Sequence, residues 1–175
     1  MPKMRSHFFF VILLLLGAVV FFSPISALFK LIFKNETYSH IALIPLITLF
    51  LLGLQRKSIF SQVVSKPAAG LAVCAAGLAL YSLAILVRED LPSHVFRGQH
   101  VPNDYLTLCV AGALAWVIGS FIAVYGVHAF RKARFALLFL LFTIPLPVFL
   151  LDAVVTSLQF ASAEAADIVL RLTGV

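Results

Sequence analysis

Residues 106–130 read LTLCVAGALAWVIGSFIAVYGVHAF and contain no aspartate, glutamate, lysine or arginine. A helix rises about 1.5 Å per residue, so a helix of this length is longer than the roughly 30 Å hydrocarbon core of a bilayer. We therefore predict that this stretch is a transmembrane helix.

The composition extends this prediction to the whole chain. Of its 175 residues, 62% are hydrophobic and only 11% are charged, far from the fractions of a soluble globular domain. A net charge of +6 could suggest a nucleic-acid partner, but the basic residues lie in short segments beside apolar runs. They are typical of topology signals, so membrane lipid is the expected surrounding and nucleic acid is excluded.

Four further apolar runs lie before and after residues 106–130. The chain is therefore predicted to be an all-α polytopic membrane protein of about five transmembrane helices. The predicted spans are residues 7–29, 40–54, 68–87, 106–130 and 135–151, which together form a transmembrane bundle over 1–151.

Two of these runs leave alternatives open. The run 40–54 is short and carries Pro45, so it is either a thin span or a re-entrant helix. The run 7–29 begins like a signal peptide, after Lys3 and Arg5. It is longer than the apolar core of a typical signal peptide, which favours an uncleaved anchor. The fifth run meets Pro145 and Pro147, where a kink or an early stop is expected.

The charges predict the direction of the spans. With the N-terminus in the cytoplasm and all five runs crossing, the inner segments hold eight basic residues and no acid, whereas the outer segments hold every acid and five basic residues. This bias satisfies the positive-inside rule. The inner residues are Lys3, Arg5, Arg56, Lys57, Lys66, Arg131, Lys132 and Arg134.

The segment 152–175 has a different character from the spans. Apolar residues follow one helical face, and Asp167 and Arg171 lie away from it at the spacing of a surface ion pair. We predict an amphipathic helix outside the membrane, at the outer interface or at the rim of a cavity.

Small residues recur at helical spacing in two of the spans and predict close helix packing. One predicted seam is Ala68, Ala72 and Ala76, and the other is Ala115, Gly119 and Ala123.

Few residues suggest chemistry. The five spans contain no acid, lysine or arginine, and no motif of a zinc protease, a serine hydrolase or a phosphate-binding loop is present. His94 and His100 lack a nearby cysteine, so neither a metal site nor a cofactor is predicted. Cys74 and Cys109 lie in apolar runs and are predicted to be packing residues.

Two stretches resemble a known family. Tyr38-Ser39-His40 followed by Ile44-Pro45-Leu46, and LFLLFTIPLP at 138–147, resemble the N-terminal part of the exosortase and archaeosortase family. Asp104-Tyr105, the basic segment 131–134 and the alanine-rich helix after the prolines occur in the order that this family has, so the resemblance covers essentially the whole chain.

The resemblance implies a polytopic bacterial membrane enzyme that acts as a cysteine protease or transpeptidase on exported proteins. Its substrates carry a C-terminal sorting tail made of a Pro-Glu-Pro-type signature, an apolar span and a basic cluster. The family is also linked to exopolysaccharide and biofilm systems.

The family's catalytic cysteine, arginine and histidine lie downstream of the amphipathic helix, beyond Val175. No catalytic residue is therefore assigned here, and the polypeptide alone is predicted to be inactive. Part of the substrate cavity is predicted to remain, with Tyr38, His40, Pro145 and Pro147 facing the same outer side. The alternatives are a noncatalytic membrane scaffold or export component and, less favoured, a small passive transporter.

Overall fold

A computed structural model describes residues 2–34, 39–60, 67–87, 95–96, 99–100, 104–145 and 147–173. The fold is helical, as predicted. Its helices are α1 (Pro2–Val20), α2 (Phe22–Lys34), α3 (Ser39–Leu54), α4 (Arg56–Ile59), α5 (Pro67–Leu86), α6 (Asp104–Phe139), a 3₁₀ helix (Leu140–Thr143) and α7 (Val148–Thr173). Two short antiparallel strands, β1 (Val95–Phe96) and β2 (Gln99–His100), lie between α5 and α6.

Helix α6 reverses direction at Gly126, which has φ 85° and ψ 168°. The hydroxyl of Thr107 donates a hydrogen bond to the carbonyl oxygen of Pro145 over 3.1 Å, although the two residues are 38 positions apart. In a straight helix they would be roughly 57 Å apart. The chain therefore folds into two antiparallel arms, a first arm (104–125) and a second arm (127–139) that continues into the 3₁₀ helix.

The predicted boundary between these two arms was different. The basic segment 131–134 was expected to form the loop between spans, but it lies within the helix of the second arm. The turn falls at Gly126 because an L side chain is strained at this φ and glycine is not. Basic side chains do not break a helix, so 131–134 continues the helical geometry.

Helices α1 and α5 both run antiparallel to the first arm. Along α1, His7 contacts Tyr125, Phe10 contacts Phe121, and the backbone of Leu13 meets Trp116. Along α5, Gly70 lies against Ala123, Cys74 against Gly119 and Gly77 against Gly112.

Helix α3 completes the bundle. It packs against the 3₁₀ helix and α6, and its C-terminal end leads into α4. In α4 the carbonyl oxygen of Ser58 accepts a 3.2 Å hydrogen bond from the ammonium of Lys132. The bundle thus has a turn end, marked by His7, Ser58, Gly126 and Lys132, and an opposite proline end, where Thr107 meets Pro145.

The predicted single span over 7–29 is bent. Its two parts, Ser6–Val20 and Phe22–Phe33, form an angle of 76°. Phe21 is 1% exposed, with its ring 4.9 Å from that of Tyr81 and 6.4 Å from that of Trp116. Pro24 follows in the first turn of α2, where a missing backbone donor is tolerated. The buried ring and the proline explain why the helix ends and restarts here.

One predicted packing seam is right and the other is wrong. Gly119 and Ala123 are buried against α5, but Ala68, Ala72 and Ala76 are exposed. The buried face of α5 consists of Gly70, Cys74, Gly77 and Ala84. Glycine permits a closer backbone approach than alanine, so the glycine-bearing face of α5 is the one that meets α6.

By length and composition, three described helices are able to cross a membrane, or four if the bent pair α1–α2 counts as one span. The three are Pro67–Leu86, Asp104–Thr143 and Asp152–Thr173. The second of these doubles back at Gly126, and the 3₁₀ helix that ends it lies beside the start of α6.

We expect Gly126→Ala to lower the free energy of unfolding by about 1–3 kcal/mol, because its φ and ψ lie in a region almost confined to glycine. Thermal unfolding in detergent, followed with a thiol-reactive dye, measures this because Cys74 and Cys109 are both buried. Gly53→Ala is the control, since a Cβ at Gly53 would have nothing within 4 Å. Equal melting temperatures for the two variants would contradict the strained turn.

The packing of α5 on the first arm predicts how two further substitutions change stability. A Cβ at Gly77 would lie 2.6 Å from the carbonyl oxygen of Gly112, so Gly77→Ala should lower the free energy of unfolding by about 1–3 kcal/mol. Ala76→Leu adds more volume to the neighbouring residue, but this residue is exposed. In the same dye assay, Ala76→Leu should be no less stable than the parent. If Ala76→Leu were less stable than Gly77→Ala, the observed seam would be refuted.

Candidate substrate site at the proline end

The proline end is formed where the second arm stops. The 3₁₀ helix ends at Thr143, and Ile144 adopts an extended conformation with φ −71° and ψ 119°. This conformation is expected before a proline, because the ring of Pro145 disfavours a helical residue at the preceding position. After Pro147 the chain enters the first turn of α7, where the amide of Leu150 donates to the carbonyl oxygen of Pro147 over 3.1 Å.

Pro145 is fastened to the start of α6. It is fully buried, and its carbonyl oxygen accepts the hydrogen bond from Thr107. Because Pro145 has no amide proton, this carbonyl is the one backbone hydrogen-bonding group it offers. The bond with Thr107 therefore holds the end of the second arm beside the beginning of the first arm.

Thr143 is the unusual polar residue of this region. It is 7% exposed, and among the described residues its hydroxyl has no hydrogen-bond partner. Buried hydroxyls are normally paired, since leaving one unpaired costs about 1–3 kcal/mol. Thr143 thus offers a donor and an acceptor two residues before the buried proline.

The four predicted cavity residues are only partly described. Pro145 and Pro147 both lie at the proline end, the first buried and the second half-buried. His40 is in the first turn of α3, but its side chain lies outside the described residues, and so does the whole of Tyr38. Helix α3 packs against the 3₁₀ helix, which brings it to the segment that carries Thr143.

Sequence reasoning missed Thr107 and Thr143. Each is a hydroxyl residue within an apolar run, and that was the available signal. Thr143 also directly precedes the Ile-Pro pair. The pattern does not reveal which of these hydroxyls is satisfied by the fold and which is left unpaired.

The two cysteines are enclosed by helices. The thiol of Cys74 lies 3.6 Å from the carbonyl oxygen of Trp116 and 3.9 Å from the hydroxyl of Ser120, and Cys109 is fully buried in the first arm. Neither forms a disulfide, and both are buried packing residues, as the sequence predicts. Within the part of the chain that the structure describes, no group of three His, Cys, Asp or Glu side chains is placed to hold a metal ion.

Over residues 32–175 the chain matches the transmembrane exosortase family. It belongs to this family. Neither the curated proteins nor the solved structures include a significant match. The matched region of the exosortase contains α3 to α7 and therefore the entire proline end, whereas α1 precedes it and packs on the first arm.

Thr107→Val should loosen the proline end, because it removes the hydrogen bond to Pro145 and keeps the shape of the side chain. Local opening should expose Cys109 and raise its maleimide labelling rate roughly two- to ten-fold, the equivalent of one hydrogen bond. Labelled peptides are quantified by mass spectrometry.

Two comparisons control this measurement. Thr107→Ser retains the hydroxyl and should label like the parent, and Cys74, which packs against Gly119, should label equally in all variants. An unchanged rate at Cys109 in Thr107→Val would mean that this hydrogen bond does not hold the proline end closed.

Proposed function

We propose that this chain is a membrane unit of exosortase-type processing, and that its proline end receives the C-terminal sorting tail of an exported protein. Membership of the exosortase family supports the class of process. The observation that carries the site is the unpaired, buried hydroxyl of Thr143 beside the clamped Pro145. The cysteine protease or transpeptidase chemistry is what the family resemblance implies for members of this family.

The proposed topology has five crossings, made by α1 with α2, by α3, by α5 and by the two arms of α6. The direction of each helix relative to its neighbours supports this alternation. Arg56, Lys57, Arg131 and Lys132 all belong to the turn end, which we assign to the cytoplasm. The proline end and α7 then lie on the periplasmic side of the bacterial inner membrane.

The short α3 fits such a bundle. Its sixteen residues extend about 24 Å, less than the full hydrocarbon core, and Pro45 removes one backbone donor from its interior. Ile41 and Ile44 are 2% and 5% exposed, so one face of its first half is shielded from lipid by protein. We propose that this short helix, partly covered by its neighbours, gives the bundle a recessed periplasmic end, as a site for an extended peptide requires.

An extended tail segment would complete the hydrogen bonding of this region. Backbone amides and carbonyls of a peptide in extended form lie free for pairing, and the hydroxyl of Thr143 is able to donate or accept. His40 of α3, and Tyr38, which precedes α3 in the sequence, are the further proposed tail contacts. The proposed orientation of the bundle, with its basic turn end in the cytoplasm, matches that of a tail whose basic cluster also remains in the cytoplasm.

The proposal predicts opposite effects of one substitution. Thr143→Val removes an unpaired buried hydroxyl, so the melting temperature of the protein should be equal or higher. Photocrosslinking to a co-expressed reporter, with the photoreactive residue in its Pro-Glu-Pro signature, should fall roughly five-fold, because one hydrogen bond to the tail is lost.

Thr48→Val is the matched control. Thr48 is also buried, but its hydroxyl is satisfied by the carbonyl oxygen of Ile44 in the same helix, so its loss should leave crosslinking unchanged. Tyr38→Phe combined with His40→Gln should reduce crosslinking as Thr143→Val does. If no variant alters crosslinking, or if the parent does not crosslink to the signature at all, the tail site is wrong and a noncatalytic scaffold or export component becomes the better reading.

A further inference from the structure

Three separate parts of the chain meet at the turn end and form an aromatic cluster. The ring of His7 in α1 lies 5.3 Å from that of Phe60, the residue that follows α4, and Phe60 lies 4.9 Å from Tyr125 in the first arm. The Nδ1 atom of His7 is 2.7 Å from the hydroxyl of Tyr125. Aromatic rings with polar tips are typical of the membrane–water interface.

Two elements beside this cluster, α4 and the second arm, carry exposed basic side chains. Arg56 and Lys57 project from α4, which is anchored by the fully buried Ile59. Arg131 and Arg134 are exposed on the second arm. The hydrogen bond from Lys132 to Ser58 joins the two elements, so α4 and the second arm lie side by side at the turn end.

The described elements that meet at the turn end carry no carboxylate that balances these charges. The sequence has no aspartate or glutamate within residues 1–35, 37–88 or 105–151, which include every element that meets at the turn end. Among the described residues the ion pair is between Asp167 and Arg171, both on α7. A group of basic residues without protein counter-ions attracts an external anion.

The surface beside these charges is apolar. Phe8 and Phe9 follow His7 in α1 and are 65% and 60% exposed, and Phe135 follows Arg134 and is 67% exposed. A ligand that satisfies both surfaces needs an anionic group at the turn end and hydrocarbon chains along the adjoining helices. This combination describes a phospholipid and does not describe a soluble anion or a nucleic acid.

We propose that the turn end is a binding site for the phosphate headgroup of an anionic phospholipid. Arg131 and Arg134 contact the phosphate oxygens from the second arm, and Arg56 and Lys57 contact them from α4. Guanidinium groups suit this role because they donate paired hydrogen bonds to phosphate. The aromatic cluster lies beneath the headgroup, and the acyl chains follow the exposed phenylalanines.

Native mass spectrometry of the full chain in a neutral detergent tests this site by titration with phosphatidylglycerol. Each basic residue near a membrane surface strengthens the attraction to anionic lipid about five-fold, so Arg131→Gln with Arg134→Gln should weaken binding by at least ten-fold. Arg131→Lys with Arg134→Lys retains the charges and should keep most of the affinity. The dye assay confirms that these variants remain folded.

Lys30→Gln with Arg171→Gln is the charge-matched control, since it removes two exposed cations from α2 and α7. Its affinity should stay within about two-fold of the parent, because neither residue belongs to the turn end. Equal losses in both double variants would show general charge attraction and would overturn the site. Equal binding of phosphatidylcholine, or displacement of the lipid by free glycerol phosphate at the same concentration, would overturn the assignment to an anionic phospholipid.

Discussion

The reversal of the chain at Gly126 fixes the relation between all other parts of the bundle. Backbone groups inside a bilayer must be hydrogen-bonded, so a turn between two spans should leave few amides and carbonyls without partners. A single glycine with φ 85° joins the two arms with very little non-helical backbone. This turn brings Pro145 to Thr107 at one end and places Lys132 beside Ser58 at the other.

Close packing holds the remaining helices on the first arm. Lipid is as apolar as the helices, so their association depends on contact and on hydrogen bonds between them. The face of α5 that carries Gly70 and Gly77 approaches the first arm so closely that a Cβ at either position would collide with it. On the other side, the indole of Trp116 donates a 2.9 Å hydrogen bond to the carbonyl oxygen of Leu13, and Gly17 leaves room for its ring.

The apolar runs predicted the helices well, because length and hydrophobicity are local properties. As helices, α3 and α5 begin and end within one residue of the predicted runs 40–54 and 68–87. The bend at Phe21 was not predictable, since the residues that enclose this ring, Tyr81 and Trp116, are distant in the sequence. The buried face of α5 was missed because a helix that is apolar all round carries no polar stripe to mark its outer side.

The candidate sites, like the helices, were predictable only as far as they depend on local sequence. The two prolines identified one end of the bundle, but the pairing of Thr107 and the isolation of Thr143 arise from tertiary contacts. The positive-inside rule grouped most of the basic residues on one side of the membrane, and that grouping stays a prediction. That α4 and the second arm meet beside His7, Phe60 and Tyr125 follows from the turn at Gly126, which the sequence did not locate.

The central claim is that the turn end faces the cytoplasm and the proline end faces the periplasm. Labelling of intact cells with a membrane-impermeant maleimide tests it directly, with single exposed cysteines introduced as Asp152→Cys in α7 and Ser58→Cys in α4; the native Cys74 and Cys109 are buried. The account predicts that the cysteine at 152 is labelled in intact cells and that the one at 58 is labelled only after permeabilisation. Labelling of the cysteine at 58 in intact cells, with the one at 152 protected, would contradict the topology and the tail site that depends on it.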